Sequence, residues 1–171
     1  MDIYQLGNPI LRNKAQEIED VRDPQIIGLA DSLISTAKEA NGVGIAAPQV
    51  ARSYRLFIMA SRPSLRYPHA PQMQPKAIIN PRILSHSDRV VKDWEGCLSV
   101  PNIRGLVPRY REIEVEYTEI NGEKKQEVLT DFIARIFQHE LDHLDGILFI
   151  DRIERKEDFY TEEEYQKIIF S

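Results

Sequence analysis

Apolar residues recur three and four positions apart at Ile26, Ile27, Ala30, Leu33 and Ala37, and the pattern stops at Asn41-Gly42. That spacing lines one face of an amphipathic helix. Asp23 suits its N-cap, with Pro24 at the first helical position. Two apolar runs, residues 55–60 (RLFIMA) and 76–80 (KAIIN), fit short buried strands. Between them lies the proline-bearing stretch 61–75 (SRPSLRYPHAPQMQP), read as an ordered surface loop. It is longer than a simple strand connection requires, and its sequence assigns it no role. In residues 111–118 Ile113, Val115 and Tyr117 alternate with charged positions, and Asn121-Gly122 turns the chain into residues 125–130. This is the pattern of a hairpin.

A second helix is expected from a cap at Thr130 or Asp131 to about Asp145, with Gly146 as its stop. Phe132, Ile133, Ala134, Ile136, Phe137, Leu141 and Leu144 leave little of its circumference polar, so it should be a buried central helix. The same segment carries Gln138-His139-Glu140-Leu141-Asp142-His143. Residues four apart share a helix face, so His139 and His143 are spaced to bind a single metal ion. Burying His139, Glu140 and His143 without partners would cost a few kcal/mol each, roughly, and a metal supplies a partner for two of them. Chance HExxH matches on solvated helices are common; the apolar surroundings argue against that here.

At 171 residues and 42% apolar content, the chain fits a single domain over residues 1–171. A net charge of -5 argues against nucleic acid as a main partner, since phosphate binding needs a basic face, and direct nucleic-acid binding is not expected. The lone Cys97 cannot form an intramolecular disulfide framework. No basic, then apolar, leader opens the chain and no run approaches the length of a membrane span, so a soluble intracellular protein is expected, without membrane attachment.

Two histidines do not complete a catalytic metal site. The HExxHxxGxxH pattern would need a ligand at Phe149, which cannot bind metal, and is excluded. A downstream glutamate among Glu162, Glu163 and Glu164 would suit a zinc endopeptidase, although these residues read more simply as the solvated face of a short acidic helix. The remaining candidate is Cys97, whose thiolate with two neutral imidazoles would leave one position open for water.

Three stretches, Gly42-Val43-Gly44-Ile45-Ala46-Ala47-Pro48-Gln49, Glu95-Gly96-Cys97-Leu98-Ser99 and Gln138-His139-Glu140-Leu141-Asp142-His143, occur in this order. Together they resemble the peptide deformylases, and the resemblance covers nearly the whole chain. It implies an α+β fold with antiparallel strands around the central HExxH helix. It also implies a divalent metal on Cys97, His139 and His143, usually ferrous iron, with zinc, nickel or cobalt able to substitute. The implied reaction removes the N-formyl group from the formyl-methionine of nascent chains in a bacterial cytoplasm, or in an organellar stroma or matrix if the chain is a processed one. Some members of that family approach the ribosome through a basic C-terminal extension; residues 151–164 hold seven acidic against three basic residues, which does not suit that mode.

Within this reading Glu140 is the general base for a water whose pKa the metal lowers. The resemblance assigns the Gln49 side-chain amide and the Leu98 backbone N–H to the developing oxyanion. Val43, Gly44, Ile45 and Gly96 are candidate substrate-binding residues, Val43 beside the apolar pocket; Gly42 and Gly44 would let backbone approach a peptide closely or are no more than a helix stop and tight turn. Phe132 and Ile136 precede His139 by seven and three positions and share its face, where they wall a methionine pocket or simply pack the core. Arg135 either reaches the site mouth to meet the substrate backbone or pairs with an acidic neighbour, and Arg104 either does likewise or is exposed and unpaired. Two rivals remain: an endopeptidase with a downstream glutamate ligand, and a noncatalytic module with a closed metal site.

Overall fold

Asp23 caps the first helix, α1 (Pro24–Glu39), accepting a 2.9 Å hydrogen bond from the Gln25 N–H, and Asn41 (φ 58) turns the chain out of it. The computed structural model describes residues 1–171. Strands β1 (Gly44–Ala46), β2 (Leu56–Met59) and β3 (Lys76–His86) pair antiparallel with β6 (Glu112–Thr118) and β7 (Lys124–Thr130) in the order β1-β2-β3-β6-β7. Strands β4 (Val90–Cys97), β5 (Val100–Tyr110) and β8 (Phe159–Thr161) form a second antiparallel sheet in that order. Helix α2 (Asp131–Leu144) carries the HExxH residues, and α3 (Glu162–Ile169) follows β8. The class is α+β.

The unbroken apolar runs of β2 and β3 follow from burial on both faces. Leu56, Ile58, Ala77 and Ile79 pack with the apolar stripe of α1, whereas Phe57, Met59 and Ile78 pack with Ala134, Ile136 and Phe137 of α2. Phe57 meets Phe137 edge-on at 5.2 Å. The opposite side of α2 turns its polar residues toward the smaller sheet. Gly146 (φ 75) stops α2, and a Cβ there would lie 2.4 Å from the Arg12 carbonyl, so the site requires glycine for both conformation and space.

Three departures from the expected elements have local causes. Strand β3 runs on past Pro81 because the register shifts between Ile79 and Arg82, a bulge in which Asn80 takes φ 50. Its side chain there bonds both the N–H and the carbonyl of Ile18 at 2.9 Å. Strands β4 and β5 escaped prediction because VVKDWEGC and VPNIRGLVPRY carry charges and prolines that mask any alternation. At the start of α2, Thr130 is the cap residue but its side chain makes no capping bond; Asp131 enters at φ 53.

Candidate metal centre

Cys97 ends β4, at the tight turn that returns the chain to Val100 of β5. That turn brings its thiol against α2, where His139 and His143 stand one helical turn apart with ring centroids separated by 5.3 Å. One ligand atom from each of the three residues lies within 4.8 Å of the others, and Cys97 Sγ is 3.2 Å from His143 Nε2. A thiol and two imidazoles gathered this closely, with the imidazoles buried, form a donor set suited to a divalent transition metal. Glu162, Glu163 and Glu164 do not join them. Glu162 bonds Arg104 and Arg66, Glu163 pairs with Lys167, and Glu164 closes a capping box with Thr161.

The donors are held by charges that converge from both sheet and helix. His139 Nδ1 donates to Glu95 Oε1 at 2.8 Å, which leaves Nε2 as the ring nitrogen free to bind a metal. Glu95 in turn accepts two bonds from Arg109, at 2.9 and 3.0 Å, and one from Arg135 at 2.7 Å. Arg109 also donates to Asp142 at 2.6 Å, and Asp142 is clasped by Arg152. Burial disfavours charge on Glu95, but Arg109 outweighs it and holds the carboxyl far below the usual range. Desolvation likewise opposes charge on Arg109, and Glu95 reverses that effect.

The imidazoles respond in opposite directions. Burial, then the nearby His139 and Arg109, push His143 well below its ordinary value, leaving it neutral and able to ligate. Burial pulls His139 the same way, but Glu140, Cys97 and Glu95 together raise it well above. The cluster therefore favours positive charge at this spot, which a metal ion would provide. Ser99 N–H donates to Cys97 Sγ at 3.4 Å and Gln49 Nε2 does so at 3.6 Å, which fixes where the sulfur points.

Glu140 lies 4% exposed, with Oε1 lacking any hydrogen-bond partner, and burial pushes its pKa up to about 7. It packs against Gly44, where a Cβ would stand 2.7 Å from Oε2. Gln49 is fixed at both ends of its amide: Oε1 accepts from Ala46 N–H at 2.9 Å and Nε2 donates to Ser99 Oγ at 3.0 Å.

These groups open on a cavity of about 480 Å³. Val43, Gly44, Gln49, Gly96, Cys97, Leu98, His139 and Glu140 line it, with Phe132 and Ile136 on an apolar wall. Ile45 does not: its side chain is wholly buried in the core on the α1 side, leaving only its backbone near the site. Arg135 touches the cavity but is 7% exposed and spends its guanidinium on Glu95 and the Val91 and Val107 carbonyls, so the acidic neighbour is its partner. Arg104 is neither exposed nor unpaired, donating from Nε to Glu162 at 2.6 Å.

The loop 61–75 supplies wall residues that its sequence did not advertise. Arg62, Ser64, Leu65, Arg66 and Tyr67 line the cavity, and Tyr67 packs on Phe132 at 4.7 Å. Glu95, Arg109 and Asp142 also went unassigned. Glu95 adjoins Gly96-Cys97 and Asp142 lies inside the HExxH stretch, so both were in view without an apparent partner.

A family model described as polypeptide deformylase matches residues 1–159. Peptide deformylase 2 of Nostoc sp. is 62% identical over 169 residues, covering 99% of this chain and 94% of that protein. Peptide deformylase 2 of Shewanella oneidensis is 46% identical, covering 92% and 86%. The crystal structure of a class I type b peptide deformylase from Acinetobacter baumannii with Met-Ala-Ser bound superposes with a TM-score of 0.87 at 44% identity, covering 90% of this chain and 98% of that one.

Proposed function

The chain belongs to the polypeptide deformylase family, and on that premise we propose that Cys97, His139 and His143 hold its divalent metal while Glu140, Gln49 and Leu98 carry out the proton and charge chemistry. The reaction is removal of the N-formyl group from nascent peptides, and the family implies a divalent metal. We assign ferrous iron as the native ion, with zinc, nickel or cobalt as substitutes; thiolate and imidazole ligands suit all four. When bound, the ion supplies Lewis acidity, bringing water toward ionisation near neutral pH and polarising the formyl oxygen.

The protein's own groups do the rest. Glu140 takes a proton from the attacking water as the new C–O bond forms at the formyl carbon. Negative charge then develops on the formyl oxygen, and the Gln49 amide and the Leu98 backbone N–H receive it. Gln49 suits that task because its other end is tied to Ala46, so little reorganisation is needed. Glu140 returns the proton to the nitrogen as the C–N bond breaks, giving formate and a free amino terminus. Phe132 and Ile136, with Val43, wall the space for the methionine side chain, while Gly44 and Gly96 leave room for the Glu140 carboxylate and the Arg104 guanidinium beside it. No helix is long and apolar enough to cross a membrane. The site of action is the bacterial cytoplasm, where formylated chains emerge, and the acidic residues 151–164 argue against docking on ribosomal RNA through that segment.

The observation that carries this reading is the unpartnered Glu140 Oε1 beside three converging ligand atoms at the base of a cavity. The endopeptidase reading is not favoured, because its glutamates are engaged elsewhere. Formate release from formyl-Met-Ala-Ser, by protein prepared without oxygen and loaded with iron or nickel, tests the proposal. Release should vanish on metal removal. Glu140→Ala should retain metal yet lose about 10²-fold or more in kcat; turnover like wild type in that variant would overturn the role of Glu140.

A further inference from the structure

Three guanidiniums gather at the cavity mouth, and two of them share one carboxylate. Arg62, Arg66 and Arg104 line the opening, and Arg62 is bonded to the uncharged Asn41. Glu162 alone bridges the other two, accepting from Arg104 Nε at 2.6 Å and from Arg66 Nη2. Its position comes from pairing of β8 with β5, which sets Arg104 opposite Tyr160, and from the Thr161 cap that starts α3 at Glu162. The bridge therefore joins three separate parts of the chain: β5, the loop 61–75 and the C-terminal helix.

Arg104 is held with its remaining donors free. Its Nη1 and Nη2 have no protein acceptor, although the side chain is only 15% exposed. It lies flat on Gly96, where a Cβ would come within 1.9 Å of Nη1. Gly96 is next to the metal-ligand candidate Cys97, so these free donors overlook the path a bound peptide takes away from the reacting formyl group. Burial opposes charge on Glu162, but the bond from Arg104 reverses this and keeps the carboxyl below its ordinary range, so it stays ionised.

We infer that Glu162 sets the charge preference of the cavity mouth toward the residues following formyl-methionine, by restraining Arg104 and Arg66 and offsetting their charge. This deepens the deformylase reading and rests on it. The ligand group concerned is a carboxylate, from an aspartate or glutamate side chain downstream of the methionine or from the free end of a short peptide. With Glu162 charged, two guanidiniums share one counter-ion and favour such a carboxylate weakly. Removing that counter-charge strengthens the preference, and removing Arg104 weakens it.

The test compares kcat/KM for formyl-Met-Ala-Asp-amide against the near-isosteric formyl-Met-Ala-Asn-amide, in wild type, Glu162→Gln and Arg104→Gln holoenzymes. Each protein is its own control, so a general loss of activity cancels in the Asp:Asn ratio. Glutamine keeps an acceptor for Arg104 Nε but not the charge. The ratio should rise about three- to fivefold in Glu162→Gln, chiefly through KM, as expected for a partly exposed charge worth under about 1 kcal/mol. It should fall in Arg104→Gln, and high salt should erase the gain. Formyl-Met-Ala-Ser as free acid and as amide forms a second arm: a gain there alone assigns the carboxylate to the chain end, a gain in the Asp:Asn ratio assigns it to the side chain, and either supports the inference. An unchanged preference in both arms, from enzymes active on the neutral peptide, overturns the inference and leaves the deformylase reading standing. A metal-loaded wild type inactive on every peptide overturns both.

Discussion

Gly44 and Glu140 are 96 positions apart in sequence, yet each restricts the other. A methyl group at Gly44 would sit 2.7 Å from Glu140 Oε2 and 3.1 Å from the Ile58 carbonyl, which belongs to backbone and cannot swing away. Gly44→Ala should therefore displace the carboxylate; with Glu140 in its proposed role, kcat should fall about 10-fold or more while the metal remains bound, because misplacing a reacting group by about 1 Å is costly. Steady-state kinetics beside metal analysis checks this. Glu140 also makes the metal-free protein sensitive to pH. Its folded pKa, about 7, exceeds the ordinary 4.5, so the native state binds the extra proton between those values. The associated stability is present below about 4.5 and is lost as pH rises through about 7. Metal-free Glu140→Gln should consequently gain on metal-free wild type across that window and hold a constant advantage above it. Thermal unfolding at a series of pH values reads the difference; parallel curves for the two proteins would contradict it.

At the scale of elements, the legible parts were those with one uninterrupted period. Helix α1, the two-faced burial of β2 and β3, the β6–β7 hairpin and the apolar α2 all followed from spacing, because each buries a regular face. Strands β4 and β5 were not legible, since their inward residues include Glu95 and Arg109, charges that look solvated until their partners on α2 are known. For the same reason Cys97, His139, His143 and Glu140 could be picked out by residue type and motif, whereas the groups orienting them could not. Glu95, Arg109, Arg135 and Asp142 meet only when the smaller sheet lies on α2. That network makes a joint prediction for the two elements. Glu95→Gln keeps a side-chain oxygen near His139 but removes the charge, and should weaken metal affinity about 10- to 100-fold. Arg109→Ala should destabilise the fold by about 2–3 kcal/mol, because it removes charge-assisted bonds to two buried carboxylates and leaves Glu95 to Arg135 and His139 and Asp142 to Arg152. Metal titration and denaturant unfolding separate the two effects.

Across the whole molecule, the larger sheet with α1 provides an apolar base, and the metal candidates lie on its other side, where α2 meets the smaller sheet. The loop 61–75 and the C-terminal helix close around the opening from two sides, joined through Glu162. An ion that binds only the native arrangement stabilises it by mass action, so chelation should lower the melting temperature and re-addition restore it. One thiolate and two imidazoles are the proposed ligands of the metal in the active protein. X-ray absorption at the metal edge of nickel-loaded protein, on a sample shown to release formate, tests this ligand set most directly. One sulfur and two imidazole nitrogens around the ion, with the sulfur lost in Cys97→Ser, is the predicted result; an active sample whose metal has no sulfur neighbour would contradict the account.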